Sequence, residues 1–441
     1  MSNFSTKFSR RNFLVTAGAG TLGALFIHGC TTPQASNKQS NINSKGGNSG
    51  LETTTAKIGF VGQTDAAPLV IAKVKRLFEK YGVPDVKLMK QPSWGVTRDN
   101  LQLGSQGGGI DGGMILTPMA YQMALGTMTV NNKKIPMYIV SRLNTGGQGI
   151  SVGNAYQSMN VSDNTSVLKQ IAEQRKASNN HIRFAQTFKG GNSDLMLRYW
   201  LAAGGIDPVK DVAILVIPGP QLVSNMKVRN IDGFCVGDPW HVRLINQNLG
   251  YTAITTDEIW AKHPEKALSF RGDWVDKNPN TTKAILKAVM EAQQWCDKIE
   301  NRAEMAKILS DPEWARVPVS DIQDRLLGNI NYGNNRPIIK DSPNRMGYWA
   351  DGASFPYKSH DLWFLVENMR WGYLPEDLDT KTIINQVNRS DLWREAAKEM
   401  GLSPADIPNT DSRGVETFFD GVKFDSENPK GYLQGLKIKA I

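Results

Sequence analysis

Cysteine and histidine are scarce: three Cys and five His in 441 residues. The cysteines are Cys30, Cys235 and Cys296, and no CxxC, HxxxH or paired Cys/His spacing occurs, so no metal-ligand pattern is available and no metal is expected. GxSxG, HExxH and any activated-cysteine context are also missing. Nothing in the spacing selects a nucleophile with its base, and an enzyme is not expected. His263 reads as a helix-cap or surface residue rather than a general base. Dense Lys/Arg blocks are absent too. Of the formal charge of +9, three charges sit in residues 1–30 and a net one in 31–55, which leaves +5 spread over 56–441. That balance gives nucleic-acid binding little support and weakly favours a small anionic ligand.

No apolar run approaches the roughly 20 residues that a membrane-spanning helix needs. The longest, Phe13 to Ile27, follows Lys7, Arg10 and Arg11 and fits the apolar region of an export signal. Ser9-Arg10-Arg11-Asn12-Phe13-Leu14 matches the twin-arginine pattern, which favours Tat over Sec export. Ile27-His28-Gly29-Cys30 has the form of a lipobox, which makes Cys30 the lipidation site and the mature N-terminus. The alternative is an uncleaved N-terminal anchor helix. Residues 31–55 are Ser/Asn/Gly-rich, with Ile42 and Leu51 as their only sizeable apolar residues, and read as a flexible tether.

About 385 residues remain, more than one hydrophobic core usually serves, so two lobes are expected. Strand-like runs alternate with helical ones: Ala56 to Val61, a helix capped by Thr64 or Asp65 with Pro68 in its first turn and ended by Gly82, Val86 to Met89, a helix from Trp94 to Leu103, Met114 to Leu116 and Met137 to Arg142. This is an α/β pattern. The crossover to a second lobe falls near Thr145 to Val152, and that lobe runs through Arg183–Ala185, Val212–Pro218, Ile231–Gly237 and Thr252–Thr256. The return falls near His263 to Arg271, and a long helix follows from Lys283 to Glu300. The domains are therefore a signal at 1–30, a tether at 31–55, lobe 1 at 56–145 and 263–441, and lobe 2 at 146–262. For Cys235, in a strand-like run, and Cys296, in a helical one, a disulfide is open, but two buried free thiols are favoured.

Gly104 to Gly113 is glycine-rich but lacks the Gly-Lys-Ser/Thr ending of a phosphate loop and the spacing of a dinucleotide fingerprint. Gly190-Gly191-Asn192-Ser193-Asp194 opens a helix. Such a start offers free N–H groups to an anion, although the same residues are ordinary helix caps.

Several stretches together resemble one family. They include Thr64-Asp65-Ala66-Ala67-Pro68-Leu69, Ser93-Trp94-Gly95-Val96-Thr97-Arg98-Asp99-Asn100, Ile115-Leu116-Thr117-Pro118-Met119, Gly237-Asp238-Pro239-Trp240, His263-Pro264-Glu265-Lys266 and Ser412-Arg413-Gly414-Val415-Glu416-Thr417. The chain is similar to the nitrate- and bicarbonate-binding lipoproteins of cyanobacterial ABC transporters over essentially 56–441. The resemblance implies a type-II periplasmic-binding fold: two α/β lobes, a ligand cleft between them and a C-terminal helical extension wrapping the first lobe. It further implies capture of nitrate, with nitrite as a second ligand, at the periplasmic face of the plasma membrane. Lipid anchorage, delivery to a permease with its ATPases and no cofactor follow from the same likeness.

In the nitrate branch the site implied by the resemblance holds a Trp, a Gln, a His and a Lys. Trp94, Gln148 and Lys266 match the first, second and fourth. Nitrate is flat, singly charged and weakly hydrated, so one Lys neutralises it while an indole N–H and amide N–H groups orient its oxygens. The His position holds Ser193 here, preceded by Asn192, and both can donate a hydrogen bond without carrying charge. Nitrite, cyanate or another small oxyanion therefore stays open. In the bicarbonate branch a Glu replaces the Lys and a calcium ion bridges it to the ligand, an arrangement Lys266 would repel. Bicarbonate is the alternative ligand. Two other classes are a pyrimidine-precursor synthase, which would need a catalytic His/Cys set, and an anion sensor fused to an ATPase, which would need no export signal.

Overall fold

The computed structural model describes residues 50–441. The export signal, the lipidation residue Cys30 and most of the 31–55 tether lie outside the described residues. The tether's last residues are fixed. Glu52 accepts from the N–H groups of Asn280 (3.1 Å) and Thr281 (2.9 Å), and Asn280 Nδ2 donates to the Gly50 carbonyl at 2.8 Å. Glu52 thus caps the positive end of the helix Pro279–Asp297.

Ten strands form two five-stranded sheets. They are β1 (Thr55–Val61), β2 (Asp85–Gln91), β3 (Gly112–Leu116), β4 (Met137–Arg142), β5 (Gln148–Gly153), β6 (Ile182–Gln186), β7 (Val212–Val216), β8 (Gly233–Gly237), β9 (Gly250–Thr255) and β10 (Lys266–Arg271). The first sheet has the order β2-β1-β3-β10-β4 and the second β7-β6-β8-β5-β9. In each, four strands run in one direction and one inserted strand is antiparallel to both neighbours: β10 between β3 and β4, and β5 between β8 and β9. The inserted strands are the two that the chain enters directly after crossing between sheets.

The crossing segments pair with each other. Leu143 N donates to Lys266 O (2.7 Å), Glu265 N to Asn144 O (3.1 Å) and Gly146 N to His263 O (2.9 Å). Gln148 is the first residue of β5, opposite Gly237 at the end of β8. Lys266 is the first residue of β10, opposite Leu116 at the end of β3. Both side chains therefore start at the carboxyl ends of parallel strands, where the strand order switches and where α/β sheets place ligands.

Elsewhere the local chemistry explains the elements. Ser93 accepts from Val96 N at 3.3 Å and starts the helix Trp94–Leu103, which ends at Gly104 with φ 69°. The helix expected to run from a cap at Thr64 or Asp65 to Gly82 is broken. It spans Ala67–Val74, the chain turns at Arg76 in the left-handed region (φ 57°), and a single turn, Leu77–Lys80, follows. The glycine run before β3 serves packing: a Cβ on Gly112 would lie 2.1 Å from the Phe270 ring. Cys235 and Cys296 are buried free thiols, as favoured above. Among the described residues no helix is long and apolar enough to cross a membrane.

The C-terminal region departs from expectation by covering both lobes rather than only the first. The helix Ser390–Glu399 lies against Pro279–Asp297, with Lys283 and Lys287 each 2.8 Å from Glu399. The helix Lys358–Arg370 instead sends Trp363 into the second core, where its ring lies 4.8 Å from that of Trp260. Large aromatic faces are what draw it there.

Asp361 on that helix forms a buried ion pair with Arg142 at the end of β4, and accepts from Tyr121 at 2.5 Å and Asn388 at 2.6 Å. Removing one member of such a pair strands the other charge. Asp361→Ala is expected to lower unfolding stability by about 3–5 kcal/mol. Urea denaturation of the variant beside the unaltered protein measures this.

Candidate functional site

Trp94, Gln148, Asn192, Ser193 and Lys266 come from four separate elements and meet where the two crossings emerge. None exposes more than 3 % of its surface. Trp94 opens its helix and lays its ring 5.6 Å from Lys266 Nζ. Ser193 Oγ, in the first turn of the helix Asn192–Ala203, donates to Gln148 Oε1 at 2.8 Å. Asn192 Nδ2 donates to the Glu265 carbonyl at 3.1 Å, which ties this helix to the second crossing. The free carboxylate of the helix start, Asp194, turns back to accept from Gly190 N at 2.8 Å and pairs with Arg198 at 2.9 Å. It caps its own helix and does not join the cluster.

Two carboxylates that sequence reasoning did not select complete the site. Asp65, in the turn before the first helix, accepts from Lys266 Nζ at 3.2 Å and from Asn144 Nδ2 at 3.1 Å, both on Oδ1. Glu265 bridges the halves of the site: one oxygen accepts from Lys266 Nζ and the other from Gln148 Nε2. Asp65 and Glu265 have no solvent exposure. Asp65 Oδ2 and Asn192 Oδ1 are buried without a hydrogen-bond partner, an arrangement that usually has a reason. The Cys235 thiol lies 3.8 Å from Gln148 Oε1, and burial pushes its pKa well up, so it is a packing group.

Burial raises the pKa of both carboxyls. For Asp65 the result is about 6, with the Lys266 charge opposing the shift and Glu265 adding to it. Glu265 is raised as well, against the pull of Lys266. Burial alone would lower Lys266, but the two carboxylates outweigh it and hold the ammonium charged. The site thus combines one fixed cation with two carboxyls, a ring wall, and amide and hydroxyl groups able to orient a small planar group.

His263 is fully buried, which corrects the expectation of a cap or surface residue. Its Nε2 lies 2.7 Å from Thr256 Oγ1 and its Nδ1 3.9 Å from Glu265 Oε2, and burial lowers its pKa to about 3. It is neutral and supports the crossing. Among the described residues no group of three or more His, Cys, Asp and Glu is placed to hold a metal ion. Asp65 and Glu265 left only a faint signal. Both lie inside the matched stretches, and Glu265 adjoins Lys266, but a lone carboxylate next to a Lys is usually a solvated pair.

Comparison with known proteins finds close relatives over the whole chain. The NMT1-like family model matches residues 49–310. A nitrate/nitrite binding protein from a Nostoc species is 52% identical over 446 residues, covering 99% of this chain and 100% of that one. A bicarbonate-binding protein from Synechococcus elongatus is 42% identical over 443 residues, 98% of each chain. The crystal structure of a periplasmic nitrate-binding protein from Synechocystis PCC 6803 superposes with a TM-score of 0.86 at 54% identity, covering 88% of this chain and all of that one. The fold is that of periplasmic binding proteins, as expected.

A third buried carboxyl sits beside the first crossing. Asp257 Oδ2 accepts from Gly147 N at 3.2 Å, and burial raises its pKa from 3.8 to about 7. The folded chain therefore holds a proton there that the unfolded chain has already released, and this contribution to stability declines as pH rises from about 4 to 7. Asp257→Asn is expected to remove the decline. Relative to the unaltered protein, the variant should be near neutral at pH 4 and gain about 2–4 kcal/mol by pH 8. Chemical denaturation across that range measures the difference.

Proposed function

This chain belongs to the NMT1-like family, and on that premise we propose that it is the nitrate-capturing component of an ABC transporter, with nitrite as a second ligand. The carrying observation is the meeting of Trp94, Gln148, Asn192, Ser193 and Lys266 in one dry place built on both crossings. Lys266 supplies the counter-charge. The Trp94 ring walls the site, and the Gln148 amide and the Ser193 and Asn192 groups direct oxygens. Charge-assisted hydrogen bonds are strongest in such a desolvated setting.

Residues 56–145 with 263–441 act as one lobe, whose helix Lys358–Arg370 also packs on the core of the other, 146–262, and the two hinge at the paired crossings. Site groups come from both lobes, so the anion favours the closed arrangement, which the permease then recognises. The protein works on the periplasmic side and hands its ligand to permease and ATPase subunits. Cys30 carries the lipid, palmitate included, that holds it at the plasma membrane, and the protein performs no chemistry on its ligand.

Bicarbonate is the second reading, favoured by one observation: Asp65 and Glu265 could accept the proton that bicarbonate carries and nitrate lacks. Calcium has less support, because Lys266 already pairs with both carboxylates and would repel a second cation beside them.

Lys266→Glu replaces the only cation among the described residues that touches the site's carboxyls with a third carboxylate. Nitrate affinity measured by calorimetry is expected to fall at least about 100-fold, the loss of a charge-assisted contact plus new repulsion. Unchanged affinity would remove Lys266 from the site.

A further inference from the structure

The donors that an anion needs are already engaged. Lys266 Nζ serves Glu265 and Asp65, and Gln148 Nε2 serves the other oxygen of Glu265. The planar carboxylate of Glu265 thus lies between the cation and the amide that a planar oxyanion would use. With both carboxyls ionised the trio carries one net negative charge in a place with no solvent exposure. A second anion added there would leave two uncompensated charges, which a low-dielectric interior strongly opposes.

We infer that Glu265 is the proton-carrying residue of the site: the anion takes over the donors of Lys266 and Gln148 while Glu265 accepts one proton from solvent. The exchange conserves charge. Before it, the trio consists of an ammonium and two carboxylates. After it, an ammonium, the Asp65 carboxylate, a neutral Glu265 acid and the bound anion again sum to one negative charge. The new acid O–H can donate to the anion, which nitrate, having no proton of its own, can only accept. This inference rests on the anion-binding reading above.

Burial favours protonation of Glu265, while its contacts Lys266, Gln148 and Asn192 stabilise its charge. Lys266, the next residue, is the one cation in contact among the described residues. Asp65, from the turn before the first helix, is a like charge, and Asp257, from the helix Thr256–Ile259, acts on it in the same sense. His263 is neutral because of its burial, and the Cys235 thiol is held protonated. Burial has already moved the Glu265 carboxyl upward, and an anion beside it adds repulsion in the same direction.

The test is nitrate calorimetry on the whole protein between pH 5.5 and 8.5, in pairs of buffers with different ionisation heats, repeated on Glu265→Gln. The carboxamide imitates the neutral acid. The unaltered protein is expected to take up close to one proton per nitrate at pH 8, with affinity falling up to about tenfold per pH unit wherever Glu265 is ionised in the free protein and protonated in the complex. Glu265→Gln should bind nitrate at pH 8 at least as tightly as the unaltered protein, with little proton uptake and a flat pH profile. Nitrate binding by the unaltered protein without proton uptake overturns the inference while leaving the anion reading intact. An unchanged pH slope in Glu265→Gln overturns the assignment to Glu265. No nitrate binding at any pH overturns the anion reading itself, and the inference with it.

Discussion

A charged ammonium buried at the meeting point of two lobes is the constraint from which the site follows. Lys266 exposes 1 % of its surface. A cation so placed must be paired and hydrogen-bonded, because desolvation otherwise drives it to the neutral form. Asp65 and Glu265 meet that need, and Asn144 and Gln148 in turn hold the carboxylates. The network reaches both sheets, since Gln148 opens β5 and Lys266 opens β10. Polarity here is concentrated and nearly fully satisfied, and the exceptions, Asp65 Oδ2 and Asn192 Oδ1, lie in the site itself.

The arrangement depends on how the chain crosses. Each crossing ends in a strand inserted antiparallel among strands that otherwise run parallel, and the crossings are hydrogen-bonded to each other. Tight geometry is built in at the turn: Gly146 has φ 64°, and a Cβ there would lie 2.2 Å from Asp257 Oδ1. A hinge made of paired extended segments can bend while keeping Gln148 and Lys266 at its edge, which suits a site that must open to solvent and close over a small ligand.

Much of this was legible in the sequence. Short β-type runs bounded by Gly and Pro located the strands, and the Ser93 cap with the Gly104 stop bounded the helix that presents Trp94. The crossings fell where the runs changed partner, near Thr145 and His263. Less visible were features set by tertiary context. Nothing local announces the left-handed turn at Arg76, because the apolar spacing continues across it. His263 looked exposed beside Pro264 and Glu265, yet the aromatic packing of Trp260 and the C-terminal helix buries it. The C-terminal Trp residues signal burial without naming the lobe they pack on. Asp65 and Glu265 are hidden for a similar reason: their role depends on burial, which a single carboxylate in a sequence does not reveal.

The cation at position 266 and the carboxyls that hold it make opposite demands on a ligand: Lys266 suits a bare anion, while calcium would need carboxylates free of an ammonium. Titration of the purified protein with nitrate and with bicarbonate, each with calcium and with a chelator, separates the two directly. Nitrate binding that is saturable, equal with calcium and with chelator, and stronger than that of bicarbonate is the predicted result. Bicarbonate binding that requires calcium, with no response to nitrate, would contradict the account.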